Sequence, residues 1–375
     1  MKSNYEKLGK YIQVVDERNA NDIRYELLGV SVDKCFIKSI ANTVGTDWRS
    51  YKIIKKGQFC YIPDTSRRGD KIGIALLKEC GVALVSQAYT VFKIVNEDRL
   101  LPEYLNLWFK RTEFDRYARF HSHGSVREIF DWDEMCNVEL PIPEIEEQVK
   151  IVNAYNAIEH RIALKRRIND NLEAQAQTLV APYITNTTAT LPLSEIMRFD
   201  SGFAFQSSTY ITCGKYKIIT IKNVQDGYID SSDVAFINSL PQQMKNSCIL
   251  QVGDVLLSLT GNVGRVGIVC EENMLLNQRV AKIVPLDNDI LPFLYFVFRQ
   301  TQMKMQLEAI SKGTAQLNLS PIEALNITIR YERNSAVLLS QSLKAFYQQI
   351  ICNNQEIRLL SVFRDSLISK LMSGE

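Results

Sequence analysis

The stretch Gly253-Asp254-Val255-Leu256-Leu257-Ser258, followed by Arg265-Val266-Gly267-Ile268, Leu275-Leu276-Asn277-Gln278 and Leu291-Pro292-Phe293-Leu294-Tyr295, decides the fold because the chain contains it twice. Its earlier copy reads Gly57-Gln58-Phe59-Cys60-Tyr61-Ile62-Pro63, Lys71-Ile72-Gly73-Ile74, Leu84-Val85-Ser86-Gln87 and Leu101-Pro102-Glu103-Tyr104-Leu105. The order is the same, and the offset between copies shrinks by only a few residues along the way. One unit used twice implies two similar sites, and therefore a partner that offers two similar things to hold.

Each copy begins with short strand-like runs bounded by Gly, Pro, Asn and Asp: Tyr25 to Val32, Gln58 to Ile62 and Val91 to Val95, then Tyr216 to Asn223, Val255 to Leu259 and Val280 to Val284. A helix is predicted after each of Pro102 and Pro292, since proline suits a first turn and the next dozen residues carry no breaker. Each half therefore holds an α/β (α+β) globule.

The period then changes. Ile151, Tyr155, Ile158, Ile162, Lys165, Asn169, Leu172, Ala176 and Leu179 alternate steps of four and three, as do Leu339, Leu343, Phe346, Ile350, Asn353, Ile357, Leu360, Arg364, Leu367 and Leu371. Sustained heptads specify a narrow seam between helices, and a buried Asn in such a seam fixes register. Two helices of about 38 residues, roughly 57 Å each, are expected to pair antiparallel. Pro182 is expected to end the first. The boundaries that follow are a first globule at 1–143, a spacer helix at 144–182, a linker at 183–190, a second globule at 191–332 and a second helix at 333–375.

With 375 residues, 46% hydrophobic and 23% charged, the chain has room for two cores of ordinary globular composition. The start, Met1-Lys2-Ser3-Asn4-Tyr5-Glu6-Lys7, lacks the apolar core of a signal peptide, and no run approaches a membrane span, so a cytoplasmic protein without membrane attachment is expected. None of the eight cysteines forms a Cys-x-x-Cys pair, and Cys35, Cys60, Cys248 and Cys270 lie in apolar runs that read as buried thiols.

Catalytic signatures are missing. No phosphate loop or Gly-x-Gly-x-x-Gly helix opening occurs, and Gly261 to Gly267 reads as a hairpin turn. His121-Ser122-His123 has no third metal ligand at a recognisable spacing and reads as a loop-borne polar pair, so no metal site is expected. Asp131 and Asp133 lack counterparts near Leu319 and read as a loop and helix cap.

The turns carry residue types suited to nucleic acid. Arg can contact guanine bidentately, and Asn or Gln adenine, while Ser, Thr and backbone amides hold phosphates. In the second half these are Lys222, Asn223 and Gln225, then Thr260, Asn262 and Arg265, then Asn277, Gln278 and Arg279, and finally Lys312, Thr314 and Gln316. In the first half they are Ser31 and Lys34, the basic run containing Arg49, Arg67, Arg68 and Lys71, then Gln87 and Tyr89, and His123, Ser125 and Arg127. Glycines and apolar residues recur between the halves whereas the polar loop residues differ, as expected of two readers of different short sequences. A structural adaptor spacing two protein-binding globules is the alternative.

At these residues the chain resembles the specificity subunits of Type I restriction-modification systems. The resemblance runs through Tyr25 to Lys34, Ala41 to Asp47, Gly253 to Gly267 and Leu275 to Val280, and through the helix entry Leu140-Pro141-Ile142-Pro143 with Glu147-Gln148-Val149-Lys150-Ile151. The second helix departs from it, since Ile329-Arg330-Tyr331-Glu332-Arg333 has no Pro-x-Pro step.

The resemblance implies two target recognition domains and two long antiparallel helices in a non-catalytic reader of double-stranded DNA. Its target would be bipartite, with half-sites at least about one duplex turn, roughly 34 Å, apart. The expected partners are two methyltransferase subunits and motor-nuclease subunits, which would carry S-adenosylmethionine, ATP and Mg; the chain itself would hold no cofactor. An adenine methyltransferase flips its base out of the duplex, so the reader must hold the flanking DNA meanwhile.

Overall fold

The computed structural model describes residues 5–39, 46–65, 71–124, 128–313 and 316–371. The chain forms two compact units, Met1–His160 with Ser361–Glu375, and Arg161–Leu360.

In the first unit a four-stranded antiparallel sheet has the order Ile12–Val15, Thr90–Ile94, Phe59–Tyr61, Ile74–Leu76. Phe59 pairs with Phe92 across neighbouring strands and their rings stack at 5.0 Å. Helices Pro102–Phe109 and Thr112–Phe120 cover this face, with Phe109 edge-on to Phe59 at 5.6 Å. The strand pairs Leu28–Val30 with Phe36–Lys38 and Lys52–Lys55 with Val82–Val85 lie beside it, linked by a parallel bridge from Leu27 to Leu84. Tyr5–Lys7 pairs with Glu139–Pro141 just before the first long helix.

The second unit repeats this connectivity. Its main sheet has the order Met197–Ser201, Val280–Pro285, Val255–Ser258, Val266–Ile268, and helices Leu291–Phe298 and Thr301–Ala309 follow. Tyr216–Ile219 runs parallel to Met274–Leu276, where the first unit has only the Leu27–Leu84 bridge. Thr190–Pro192 pairs with Thr328–Arg330 before the second long helix. The helices predicted after Pro102 and Pro292 exist, but each is interrupted, at Lys110–Arg111 and at Arg299–Gln300, and restarts as a second short helix.

The long helices span Ile145–Asn186 and Arg333–Leu371. Gln148, fully buried, latches the first: its Oε1 accepts from Leu101 N–H at 2.9 Å, and its Nε2 donates to the carbonyls of Arg99 and Pro143, both at 2.8 Å. The second helix lacks the Pro-x-Pro step but is capped by Glu332, whose carboxylate accepts from Asn334 N–H at 3.0 Å and Ser335 N–H at 2.8 Å. The carboxylate is thereby held below the usual range, first by the Ser335 hydroxyl and then by these amides.

Pro182 does not end the first helix. The helix continues through it to Asn186 because Tyr183 and Ile184 pack on the second unit's core, and the Tyr183 hydroxyl accepts from Glu332 N–H at 2.9 Å. Packing outweighs the one backbone donor that proline removes.

Several seam residues also sit elsewhere than a strict heptad would put them. Ile151 and Tyr155 belong to the first unit's core cluster. Ile158, Ile162 and Ala176 are buried as the seam predicts, whereas Leu179 is 41% exposed and Val180 takes the inward face in its place. A straight helix drifts by about 20° per heptad relative to an exact repeat, so a seven-residue seam walks off its face. Leu172, Leu339, Leu343, Phe346 and Ile350 join the second unit's core, while Ile357, Leu360 and Leu367 are half-buried.

Within the second unit the helices run antiparallel. Arg161 meets Glu356 at 2.7 Å, Lys165 meets Asn353 at 3.1 Å and Asn169 meets Asn354 at 2.8 Å, one set of numbers rising as the other falls. Within the first unit Glu159 and Arg364 pair at 2.7 Å. Among the described residues no helix is long and apolar enough to cross a membrane. All eight cysteines are free; Cys60, Cys248 and Cys270 are buried as expected, but Cys35 is exposed on the tight turn that closes its hairpin.

Candidate nucleic-acid interface

In the second unit, Val255–Ser258 and Val266–Ile268 form a hairpin whose turn carries Gly261 (φ 75°) and Gly264 (φ 79°) in the left-handed region that glycine tolerates. Gly261 N–H donates to Leu317 C=O at 2.9 Å, and Leu319 N–H to Leu259 C=O at 2.8 Å, so the hairpin tip is stitched to the segment after Lys312. That segment folds back on itself through reciprocal backbone bonds between Lys312 and Asn318, at 2.9 and 2.8 Å.

Asn318 is the hub of this cluster. Its Oδ1 accepts from Thr260 Oγ1 at 3.0 Å and is met by the Arg279 guanidinium at 3.5 Å, while its Nδ2 donates to Gln316 C=O at 3.2 Å. It stands two residues beyond the polar loop Ser311–Gln316 that the sequence marks. The turn Asn277–Arg279 is fixed by Asn277 N–H to Ile219 C=O at 3.1 Å and Gln278 N–H to Phe203 C=O at 3.0 Å. Gly202 lies so close to this turn that a Cβ there would sit 2.2 Å from the Asn277 carbonyl oxygen.

Three of the predicted loops therefore converge, and they present Asn262, Gln278, Arg279, Lys312 and Gln316 as exposed side chains. Asn277 is half-buried, and Arg265 is half-buried with a nitrogen on Gln225 Oε1 at 2.9 Å. Lys222 is exposed and pairs with Asp233 at 2.7 Å.

Two predicted contacts are structural instead. Thr260 is buried beneath the hairpin tip, its hydroxyl spent on Asn318. Asn223 is also buried: it accepts from Thr220 N–H and donates to the carbonyls of Asp230 and Asp233, closing the turn that ends the Tyr216 strand. The Thr314 position lies outside the described residues.

The first unit has the same scaffold with other side chains. Thr65 N–H donates to Glu128 C=O and Phe130 N–H to Pro63 C=O, both at 2.9 Å, and His123 and Ile129 exchange backbone bonds as Lys312 and Asn318 do. Arg119, unremarked in the sequence, bridges these loops through the Thr65 carbonyl at 3.3 Å and the Glu128 carboxylate. Arg49 and Gln87 are exposed at one end of the paired strands Lys52–Lys55 and Val82–Val85. Lys71 and His123 are exposed, and Ser31 and Tyr89 are half-buried in turns. Arg67, Arg68, Ser125 and Arg127 lie outside the described residues, as does Ala41 to Gly45.

Lys34 is the clearest correction. It is 7% exposed, with φ of 62°, and its ammonium ion-pairs with Asp115 and donates to Ile72 C=O at 2.6 Å. Burial pushes its pKa below the ordinary lysine value, against the pull of the Asp115 charge. It ties the Ser31–Lys34 turn to helix Thr112–Phe120, with its charge turned inward and not to solvent. Asp131 caps helix Trp132–Asn137 as expected, and it does have a counterpart, since Ser320 caps Pro321–Leu325 in the same way.

A clamp that no motif announced holds the second unit to the long helices. Arg299 forks onto Glu173 at 2.6 and 3.2 Å and reaches Asp226 at 2.9 Å, and Tyr295 donates to Glu173 at 2.7 Å. On the other long helix, Arg358 meets Glu271 at 3.1 Å.

The sequence matches the Type I restriction modification DNA specificity domain family twice, over residues 8–174 and 187–360. It is 25% identical over 308 residues to the Type I restriction enzyme MjaIX specificity subunit of Methanocaldococcus jannaschii, covering 75% of this chain and 71% of that one. It is 22% identical over 423 residues to the HindI specificity subunit of Haemophilus influenzae, covering 90% of each. A crystal structure of the Type I restriction-modification S subunit from M. genitalium shares the fold, with TM-score 0.51 and 16% identity over 98% of this chain and 95% of that one. Two matched domains, and two units with one connectivity and one loop constellation, agree: this chain belongs to the Type I restriction-modification specificity-subunit family, with one recognition domain in each half.

Proposed function

We propose that the chain reads a bipartite DNA target, one short half-site per unit, on behalf of catalytic subunits that it recruits. The observation that carries this reading is the pair of equivalent loop clusters with different exposed side chains: Asn262, Gln278, Arg279 and Gln316 in one, Arg49, Lys71, Gln87 and His123 in the other. A shared scaffold gives both units the same approach to a duplex, and different donors and acceptors give each its own bases.

In this reading the chain binds DNA without catalysing. Two methyltransferase subunits dock on its long helices, and motor-nuclease subunits join them for cleavage. S-adenosylmethionine, ATP and Mg belong to those partners. Replacing residues 190–330 by the corresponding segment of another specificity subunit tests this. Mapping of methylated bases in the host genome is expected to show one half of the motif replaced and the other kept. An unchanged motif overturns the reading.

A further inference from the structure

His121, His123 and Glu134 place one ligand atom each within 4.8 Å of one another. His121 Nδ1 and Glu134 Oε2 are 3.2 Å apart. That is close to the roughly 3.3 Å expected between two ligands on one tetrahedral zinc ion with bonds of about 2.0–2.1 Å. The His121 ring is stacked on Tyr117 at 4.2 Å, which orients its plane, and His123 is exposed with a ring nitrogen already within 4.8 Å of the other two ligand atoms. The sequence hides the third donor, since Glu134 stands on the helix beyond a hairpin and makes no recognisable spacing with His-x-His.

The second unit supplies an independent observation at the equivalent place. Glu134 and Glu323 each occupy the third position of a capped helix, behind Asp131 and Ser320. His123 and Lys312 each open the same backbone bridge to the residue six positions on, Ile129 and Asn318. In the second unit the Lys312 ammonium meets Glu323 at 2.5 Å, so a cation bridges the recognition loop to the helix. In the first unit no lysine stands there, but two imidazoles do. Two His and one carboxylate suit a borderline divalent transition metal rather than Mg or Ca, which prefer oxygen ligands.

We infer that His121, His123 and Glu134 form a site for a divalent transition metal of the zinc type, which pins the first unit's recognition loop to helix Trp132–Asn137. With three protein ligands the ion keeps a position open for water or another oxygen ligand. Its role is to do with a bound ion what the Lys312 ammonium does by ion-pairing with Glu323 in the other half.

Calorimetric titration of the tag-free, full-length chain with Zn2+ alone tests this. One ion per chain is expected, with affinity falling at least about tenfold in His123→Gln and in Glu134→Gln, by analogy with the losses seen even for outer partners of metal ligands. Lys312→Gln is expected to leave it unchanged. Circular dichroism checks the fold of each variant; should His123→Gln fail to fold, Glu134→Gln, which keeps the helix, is read in its place. Co2+ replacing Zn2+ is expected to give visible d–d bands without the near-ultraviolet band of thiolate coordination, which separates this site from the eight free cysteines. No saturable Zn2+ binding, equal binding by both variants, or a thiolate band would overturn the site and leave His121 and Glu134 as a plain hydrogen-bonded pair.

Discussion

The side-chain amide of Asn353 donates to Asn169 Oδ1 at 2.7 Å across the two long helices, and Asn353 is 1% exposed. Its own oxygen accepts from Lys165 Nζ and Gln349 Nε2, both at 3.1 Å. Asn169 passes the chain on to Asn354 at 2.8 Å, and Asn354 donates to the Gly227 carbonyl of the recognition domain at 3.1 Å. Sliding either helix by one turn would break every one of these pairings and leave the buried Asn353 amide to find other partners, so the ladder specifies register as well as contributing stability.

Asn353→Ala is therefore expected to cost about 1–3 kcal/mol, because it strands the Asn169 oxygen and removes an acceptor from Lys165. Asn169→Ala/Asn353→Ala should cost less than the sum of the single changes, since the second removes a partner already lost. Denaturant unfolding followed through the second unit checks this. Additive losses would show that the pair is not coupled.

The Lys34–Asp115 pair gives a second case with the opposite outcome for a double change. Asp115→Ala leaves a buried ammonium without its counter-charge and should destabilise the first unit by about 3–5 kcal/mol. Lys34→Met/Asp115→Leu removes both charges and should recover most of that loss. Because Lys34 does not reach solvent, the double variant is also expected to keep the wild-type salt dependence of DNA binding. A salt slope shallower by about 1 would instead mark Lys34 as a phosphate contact.

Lys34 also illustrates how far the sequence could be read. The duplication was legible because Gly and apolar framework residues recur at nearly constant offset, and the long helices because heptads persist through them. What a polar side chain meets was not legible. Asp115 lies 81 residues from Lys34, and Asn318 lies 58 residues from Thr260. A lysine in a turn and a threonine beside glycines have the composition of a DNA contact until the fold shows them buried. Leu179 failed differently: the heptad was right, but a helix packed on a globule as well as on a helix follows the 3.6-residue period and presents Val180.

Acid should loosen the second unit through Glu271, a carboxylate that ion-pairs with Lys217 and Arg358 and accepts from Ser231. Burial raises its pKa, but the Lys217 and Ser231 hydrogen bonds and the Lys217 and Arg358 charges together outweigh that and hold it below the ordinary value of 4.5. The unfolded chain thus takes up the proton first, so the stabilisation is complete above about pH 4.5 and is lost as the pH falls through the lower folded value. The stability gap between wild type and Glu271→Gln, measured by denaturant unfolding, should narrow steadily below that pH. A gap that widens in acid would contradict the assignment.

The last prediction separates readers from supports within one loop cluster. Gln278 is exposed at the turn that Phe203 holds by its carbonyl, while Thr260 and Asn223 are buried beneath. Gln278→Ala should leave the melting transition of the second unit unchanged and reduce discrimination at one base pair of the second half-site by about 1–3 kcal/mol. Thr260→Val should do the reverse, lowering stability by about 0.5–1.5 kcal/mol through the lost hydrogen bond to Asn318 and weakening the whole half-site without altering its preferred bases. Methylation mapping and thermal unfolding on the same variants distinguish the two. If Thr260→Val changed the base preference and Gln278→Ala did not, the reading surface would have to be redrawn around the hairpin tip.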